Sequence, residues 1–413
     1  MSFQQGLSGL NAASKSLEAI GNNVANANTV GYKQSQAQFA DVFASSLTGA
    51  GSSNVGIGVK VGQVAQQFTQ GNVTASDNPL DIAINGGGFF RMSNNGTITY
   101  SRNGQFQLDK NGYIINAGGA RLTGYSADSN GVLSTGSPTE ININSADLAP
   151  QATTAVKTKI NLDSTEDTPV TAPFDYTDPT SYNQSSSVSV YDSLGNAHVL
   201  QSFYVKTGAG TWDIYATSDG NPVNYTPPAA PAAIGSLAFT SNGVIDSAAT
   251  TMPLAMTIPL TNGATTPLSV NVDYTGTTQF GSGFSVNALT QDGYTAGRLS
   301  GFDVGQDGTI TGRYTNGKSA TLGQVVLANF TDTNGLRSLG DNEWAETAAS
   351  GPALVGPPDS GSLGVLQASA VEESNVDLTA ELVNMITAQR VYQANAQTIK
   401  TEDQVMQTLV NLR

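Results

Sequence analysis

Apolar residues recur at helical spacing near the start of the chain. The larger ones are separated by three, four or seven positions and lie at Phe3, Leu7, Leu10, Leu17, Ile20 and Val24. Side chains at such intervals form one stripe along a face of an α-helix. Gly21 and the asparagine-rich stretch 22–28 weaken the pattern, so the sequence predicts a helix that ends in this region.

The other end of the chain shows a stronger helical pattern. One apolar row repeats every seven residues at Leu378, Met385, Tyr392, Ile399 and Met406. A companion row consists of Leu382, Ala396 and Val410, with polar interruptions at Gln389 and Asp403. Together these rows form the a/d seam of a coiled coil. Ser374, with Asp377 three residues later, predicts a capping box at the helix start, and the heptads continue to Arg413.

Between the two ends the pattern changes to short β-type runs separated by turns. Asn-Gly pairs, the strongest short hairpin signal, occur several times between 71 and 146. The same character returns from 293 to 344, whereas 147–292 is richer in proline and threonine. The sequence therefore predicts a mainly β protein with α-helical termini, with two nested β-rich domains and the N- and C-terminal helices pairing as a coiled coil.

The pattern divides the chain into four parts. We expect a terminal helical domain, two connecting segments, a first β domain and an inserted outer β domain. Their respective ranges are 1–28 with 372–413, 29–70 with 361–371, 71–146 with 293–360, and 147–292.

Each terminal helix shows only one apolar stripe and has no helical neighbour in the sequence. An isolated helix of about twenty residues is marginal in water, because packing supplies most of its stability. The simplest partners are the other terminal helix and then neighbouring copies of the chain; the alternative is that both helices pack on their own β domain. The predicted subunit-interface residues are Leu7, Leu10, Leu17, Ile20, Val24, Leu378, Leu382, Met385, Tyr392, Ile399, Met406 and Val410.

Composition narrows the possible functions. The formal net charge is -15, which disfavours binding to nucleic acid or to anionic membrane surfaces. The chain has no cysteine and one histidine, His198, so thiolate chemistry and histidine-rich metal sites are excluded. It shows neither a cleaved signal peptide nor an apolar run long enough for membrane insertion, yet its Gly-rich, Cys-free composition suggests an extracellular protein. Export without a cleaved signal reconciles these features.

Several local patterns superficially suggest ligand sites or catalysis. Gly56-Ile57-Gly58 has the wrong spacing for a dinucleotide loop. Turns beginning at Asp109, Asp128 and Asp332 lack the residues that close a calcium loop, and His198 has no serine elbow to serve. Glu372-Glu373 precedes the predicted C-terminal helix, and Glu402-Asp403 lies on it. Because glycoside hydrolysis uses two carboxylates, it stays open as an alternative function. We expect no cofactor, no metal and no enzymatic activity.

Four groups of residues resemble the signatures of one family. The N-terminal group comprises 8–13 (SGLNAA), 20–26 (IGNNVAN) and 29–33 (TVGYK). The C-terminal group comprises 374–378 (SNVDL), 381–382 (EL), 388–390 (AQR) and 392–396 (YQANA). The remaining two are 78–90 (NPLDIAINGGGFF) and 323–330 (GQVVLANF). In this order they are similar to the flagellar rod and hook axial proteins, and the length and large insertion favour the hook branch over the rod.

This resemblance implies a structural subunit that polymerises with itself into a curved hollow tube, the joint between rod and filament. It implies passage, largely unfolded, through the flagellar type III export apparatus. It also implies contacts with the distal rod protein, the hook cap protein, the hook-filament junction proteins and the hook-length control protein. The alternatives are a distal rod subunit and a secreted carbohydrate-binding or carbohydrate-active module. The expected location is the extracellular hook of the bacterial flagellum and its basal body.

Overall fold

The computed structural model describes residues 2–42, 56–128, 131–144, 146–224 and 231–411. A helix stands at each end of this part of the chain: α1 spans Ser2–Ala25 and α2 spans Leu378–Asn411. Short strands make up most of the regular structure between them. The predicted fold class, mainly β with helical termini, is confirmed.

The strands that follow α1 are short, because turn residues interrupt the apolar runs every few positions. They are β1 (Ser35–Val42), β2 (Gly58–Gln66), β3 (Val73–Ala75), β4 (Ile82–Asn85), β5 (Phe89–Asn94), β6 (Thr97–Ser101), β7 (Gln107–Leu108), β8 (Ile114–Ile115), β9 (Arg121–Ser126) and β10 (Thr139–Glu140).

Longer strands follow in the middle of the chain. They are β11 (Ala155–Asp163), β12 (Gln184–Tyr191), β13 (Ala197–Gly208), β14 (Thr211–Ser218), β15 (Asn221–Pro222), β16 (Gly235–Ala238), β17 (Leu254–Ile258), β18 (Leu268–Asp273), β19 (Thr278–Phe280) and β20 (Ser285–Gln291).

The remaining strands lead back to α2, with one 3-10 turn at Thr333–Gly335. They are β21 (Leu299–Val304), β22 (Thr309–Tyr314), β23 (Ser319–Val325), β24 (Leu327–Asn329), β25 (Arg337–Gly340), β26 (Glu343–Ala345), β27 (Leu354–Gly356), β28 (Val365–Ala368) and β29 (Ala370–Glu372).

The chain divides into two compact units. The first comprises Met1–Ser145, Gly301–Arg313 and Ser319–Arg413, and the second comprises Ala146–Ser300 and Tyr314–Lys318. The chain thus leaves the first unit once to build most of the second and then returns. The assignment of the four predicted parts to layers of an assembly stays a prediction.

The first unit contains a large sheet and three two-stranded ribbons. The main strand order in the large sheet is β21-β22-β23-β9-β5-β6-β26-β25. The ribbons pair β1 with β2, β3 with β29, and β4 with β28. The last two ribbons each join a strand from before the second unit to one from after it, so they bring the two ends of the chain together.

The second unit is a two-sheet sandwich. One sheet has the order β17-β18-β11-β19, with β20 also paired to β11, and the other has the order β12-β13-β14-β15, with β16 paired to β14. Alternating residues of both sheets point into one shared core, in which Tyr204, Trp212 and Tyr274 are fully buried.

Candidate subunit interface

The two terminal helices pack against each other in opposite directions. Gly9 near the start of α1 lies beside Asn395 in the second half of α2, and a Cβ on Gly9 would lie 2.8 Å from that side chain. Just after α1, the side chain of Gln34 donates a hydrogen bond to Glu381 in the first turn of α2. The predicted pairing of the helices is confirmed.

The side of α2 that packs against α1 is partly small and polar. A Cβ on Gly6 of α1 would lie 3.1 Å from Ile399 Cγ1, which shows how closely the helices approach. Buried or half-buried positions of α2 recur about every one or two helical turns. They are Glu381, Met385, Ala388, Asn395, Ala396, Ile399 and Glu402. Pairing with α1 therefore covers only part of the apolar surface of α2.

Many large apolar side chains of α2 remain exposed. They are Leu378, Leu382, Val383, Ile386, Val391, Tyr392, Val405, Met406 and Val410. Met406 is 60% exposed and Val410 71% exposed. α2 has 34 residues and α1 has 24, so at about 1.5 Å per residue α2 is longer by about 15 Å. A series of exposed apolar side chains on one helix indicates an interaction surface.

The twelve predicted interface residues have different degrees of exposure in the single chain. Ile20 is buried, and a second group is half-buried: Leu10, Leu17, Val24, Met385 and Ile399. The remaining six are exposed: Leu7, Leu378, Leu382, Tyr392, Met406 and Val410. Of the first two groups, Ile399 packs against Gly6 of α1, and the exposed group is available to other molecules. Their role in contacts between subunits stays a prediction.

A groove of about 780 Å³ lies within the first unit between α1, α2 and the β1–β2 ribbon. Small side chains line it on α1, among them Ala12, Ser16 and Ala19. Phe39 on β1 and Val391 on α2 contribute apolar surface, and both are exposed. Like the exposed apolar side chains of α2, this groove leaves apolar surface uncovered in the single chain.

Asparagine side chains connect the helix pair to the segments beside it. Asn23, buried in the last turns of α1, donates to the carbonyl of Ser35 (2.8 Å) and accepts from its N–H (2.9 Å). Asn375 accepts from the N–H of Gln34 (2.8 Å) and donates to the carbonyl of Gln67 (2.7 Å). These bonds satisfy buried backbone groups where both chain ends enter the β structure.

Three charged side chains are buried together next to these asparagines. Lys33 Nζ lies 2.6 Å from Glu372 Oε1, and Arg102 Nη1 lies 3.1 Å from Glu372 Oε2. The exposed fractions of the three side chains are 0% for Lys33, 3% for Arg102 and 0% for Glu372. Burial lowers the pKa of Lys33 and the pKa of Arg102, and the Glu372 carboxylate opposes both shifts. Below, these three residues are called the buried ion triad.

Sequence reasoning missed this triad and placed the start of α2 too early. Glu372 was interpreted as an acid preceding the helix, but it ends β29 and points inward. The helix cap is Asp377, not Ser374: Asp377 Oδ1 accepts from the N–H groups of Thr379 and Ala380. The inward alternation of β29 was the available signal, but it spans only three residues.

The single histidine lies in the second unit, on strand β13. His198 Nδ1 lies 2.7 Å from Asp219 Oδ2, and Nε2 lies 3.3 Å from Asp192 Oδ2. Asn262 also donates to Asp192, at 2.6 Å. Burial lowers the pKa of His198, but the bonds to the two carboxylates outweigh it, so its pKa is raised above the ordinary value. This arrangement crosslinks three loops.

The other patterns weighed in the sequence have structural explanations. Asp109 Oδ1 accepts from two backbone N–H groups of its turn, and Asp332 caps a 3-10 turn. In the turn that begins at Asp128, residues 129–130 lie outside the described residues. Within the described ranges, no three His, Asp or Glu side chains come together as metal ligands, and no helix is long and apolar enough to cross a membrane.

Four sequence families match successive parts of the chain. The "Flagella basal body rod protein" family matches residues 3–33, and "Flagellar hook protein FlgE/F/G D1 domain" matches 83–164. "Flagellar basal body protein FlaE D2 domain" matches 161–294, and "Flagellar basal body rod FlgEFG protein C-terminal" matches 367–412. The matches thus include both helical ends and most of the second unit.

Relatives match over the full length. The flagellar hook protein FlgE of Salmonella typhimurium is 45% identical over 417 residues, covering 100% of both chains. The FlgE of Escherichia coli K12 is 43% identical, again covering 100% of both. Among solved structures, the Helicobacter pylori flagellar hook protein FlgE2 aligns with a TM-score of 0.52 and 14% identity. It covers 72% of this chain and 100% of that one, which supports the fold.

Proposed function

The chain belongs to the flagellar hook protein family, and from that membership we propose that its paired terminal helices drive assembly of the hook. The protein is a structural subunit of the flagellar hook that polymerises with itself. The two alternative functions, a distal rod subunit and a secreted carbohydrate-binding or carbohydrate-active module, are rejected, because the full-length relatives described above are hook proteins. The family is structural, and we propose no catalytic role.

The observation that carries the proposal is the apolar surface that α2 leaves exposed beside α1. Burial of a Leu, Val or Met side chain stabilises a complex by roughly 1.5–3 kcal/mol. A neighbouring copy that covered Leu382, Met406 and Val410 would therefore add several such contributions per subunit. We propose that these three, with the other exposed members of the predicted set, contact neighbouring subunits.

In the proposed tube, the terminal helical part, 1–28 with 372–413, forms the inner layer. The connecting segments, 29–70 with 361–371, lead outward to the first β domain, 71–146 with 293–360. The inserted domain, 147–292, forms the outer layer. The pairing of the two helices supports placing them in one layer, because both line a groove with the β1–β2 ribbon within the first unit.

The remaining partners follow from family membership and are proposals. The tube would connect to the distal rod protein at one end and to the hook-filament junction proteins at the other. Assembly would occur beneath the hook cap protein, and the hook-length control protein would limit it. We further propose that the subunit is exported without a cleaved signal, through the flagellar type III apparatus, to the extracellular hook.

Electron microscopy of concentrated protein in precipitating salt tests the role of the helices. The full-length chain should form tubes, whereas a version lacking residues 1–28 and 378–413 should not. The second deletion starts at 378 and not at 372, because removal of Glu372 would leave two buried cations unpaired. Tubes from the truncated chain would contradict the proposal, as would failure of the full-length chain with purified cap protein and rods added as seeds.

A further inference from the structure

The buried ion triad joins three separate parts of the chain. Lys33 follows the turn after α1, Arg102 follows β6 of the large sheet, and Glu372 ends β29 six residues before α2. Glu372 is separated from Lys33 by 339 positions and from Arg102 by 270. The triad therefore lies where the segments from both terminal helices meet the β structure of the first unit.

Each member of the triad also binds the backbone of a neighbouring segment. Lys33 Nζ donates to the carbonyl of Thr69 at 2.8 Å, and Arg102 Nη2 donates to the carbonyl of Gly86 at 2.9 Å. The N–H of Gly71 donates to Glu372 Oε1 at 3.0 Å. The Glu372 carboxylate thus holds the segment that returns from the β1–β2 ribbon, as well as the segments that carry Lys33 and Arg102.

The geometry around Gly71 leaves little freedom for these segments. A Cβ on Gly71 would lie 2.0 Å from the carbonyl oxygen of Glu373, and the N–H of Glu373 donates to Asn72 at 2.8 Å. The N–H of Gly31 donates to the carbonyl of Glu372 at 2.8 Å. The backbone is therefore closely packed on both sides of the carboxylate, which limits how far the helix pair can swing without breaking these bonds.

Charge makes Glu372 the critical member of the triad. Two cations and one anion are buried together, so both cations depend on the same carboxylate. A buried charge that loses its partner is strongly destabilising, because neither water nor a counter-ion replaces the lost interaction. Loss of Lys33 or Arg102 would leave one pair intact, whereas loss of the Glu372 charge would leave two neighbouring cations unpaired.

We infer that Glu372 is the positioning residue that couples the terminal helices rigidly to the large sheet. Twist applied to the helices then reaches the β structure of the same subunit without a flexible joint between them. This inference rests on the proposed function, since it assumes that the helices form the inner layer of the tube. It adds a mechanical role, the transmission of torque through one subunit, to the assembly role of the helices.

The test is the torsional stiffness of hooks in living cells, measured as the elastic recoil of tethered cells when the motor stops. Glu372→Gln keeps the side-chain shape and removes the charge, and we expect hook stiffness to fall about two-fold or more. Tubes should still form, because the exposed apolar side chains of α2 are unchanged. Glu140→Gln is the matched control: Glu140 pairs with Arg121 at 2.6 Å but is 28% exposed, and it should leave stiffness unchanged.

The outcomes separate the inference from the proposed function. Normal hooks with unchanged stiffness in Glu372→Gln would overturn the inference and leave the assembly role intact. If Glu372→Gln yields no hooks, Arg102→Gln decides, because it removes the ion pair that joins Glu372 to the segment after β6 and leaves the Lys33–Glu372 pair intact. Reduced stiffness in that variant, at temperatures well below its unfolding, supports the coupling, and unchanged stiffness overturns it.

Discussion

The second unit and the helix pair differ in how far they bury their apolar side chains. Among its described residues, the second unit buries twenty in one core shared by its two sheets. Along α2, by contrast, no hydrophobic residue with a described side chain is buried, and among the described hydrophobic residues of α1 only Ala13 and Ile20 are buried. The first arrangement is complete within one chain, whereas the second leaves apolar surface that only another molecule can cover.

The difference in packing corresponds to a difference in function. A domain with its own core can fold before assembly and present a polar surface, because its stability does not depend on neighbours. A helix pair with uncovered apolar surface gains stability on association, so its folding and the polymer's growth are linked. Substitutions in the two regions should therefore affect different measurements, and the predictions below use that separation.

The largest expected effect is on assembly, from a charge placed at the exposed end of α2. We expect Met406→Asp to raise the protein concentration needed for tube formation by about tenfold to a hundredfold, since the burial of one methionine side chain, worth about 1.5–3 kcal/mol, would be lost. Met406 is 60% exposed and lies seven residues beyond Ile399, which packs beside Gly6 near the start of α1, so the single chain should fold as before. Sedimentation of polymer against protein concentration measures the shift.

Two companion variants make this test specific. Val170→Asp changes a valine that is 97% exposed in the second unit, and it should leave assembly unchanged. Ile399→Asp should also block assembly, but it acts on the helix pair itself, because Ile399 packs against Gly6. Normal tubes from Met406→Asp would mean that the exposed end of α2 does not contact neighbouring subunits.

A smaller effect should separate two glycines of the same helix. Gly9→Ala places a methyl group 2.8 Å from Asn395, whereas Gly21→Ala places one where nothing lies within 4 Å. Both changes gain about 1 kcal/mol of helix propensity, so the difference between them isolates the contact with α2. We expect tubes of Gly21→Ala to dissociate at a higher temperature than those of the unmodified protein, and Gly9→Ala tubes at a lower temperature than Gly21→Ala tubes. Equal dissociation temperatures would mean that Gly9 is not a close contact.

Local patterns predicted the elements whose cause is local. The apolar spacing from Phe3 to Val24 predicted α1, and the heptads predicted α2. Asn95-Gly96 forms the tight turn between β5 and β6, with φ of 50° and 87°, as the hairpin signal indicates. In each case the residues that decide the structure are neighbours in the sequence.

The parts that could not be predicted depend on contacts between distant residues. The partners of Glu372 are hundreds of positions away, so nothing beside it in the sequence distinguishes it from an exposed acid near a helix. The helix seam was predicted by its apolar rows, yet the contact with α1 also uses Asn395, and Glu381 binds Gln34 just after α1. A hydrophobic pattern selects neither residue. Small and polar contacts are visible only once two helices have been brought together.

The smallest expected effect is a dependence of the second unit on pH through His198. Because the pKa of His198 is raised in the folded state, its contribution to stability should be complete below about pH 6.5 and be lost as the pH rises through the folded value. The pKa of Asp192 is lowered overall, as is that of Asp219: burial raises each, and hydrogen bonds outweigh it. Their contribution should be present above about pH 4 and be lost at lower pH.

These opposite signs predict that the three-residue cluster stabilises the second unit most between about pH 4 and pH 6.5. Since the chain has one histidine, its ring protons give a single titration curve by NMR, and we expect a midpoint above the ordinary value. Hydrogen exchange of β13 and β14 should quicken beyond its intrinsic increase between pH 6 and pH 8, and His198→Gln should remove that excess. A midpoint at or below the ordinary value would show that the loops are held together without the imidazolium, and the second unit would then owe its stability to its apolar core alone.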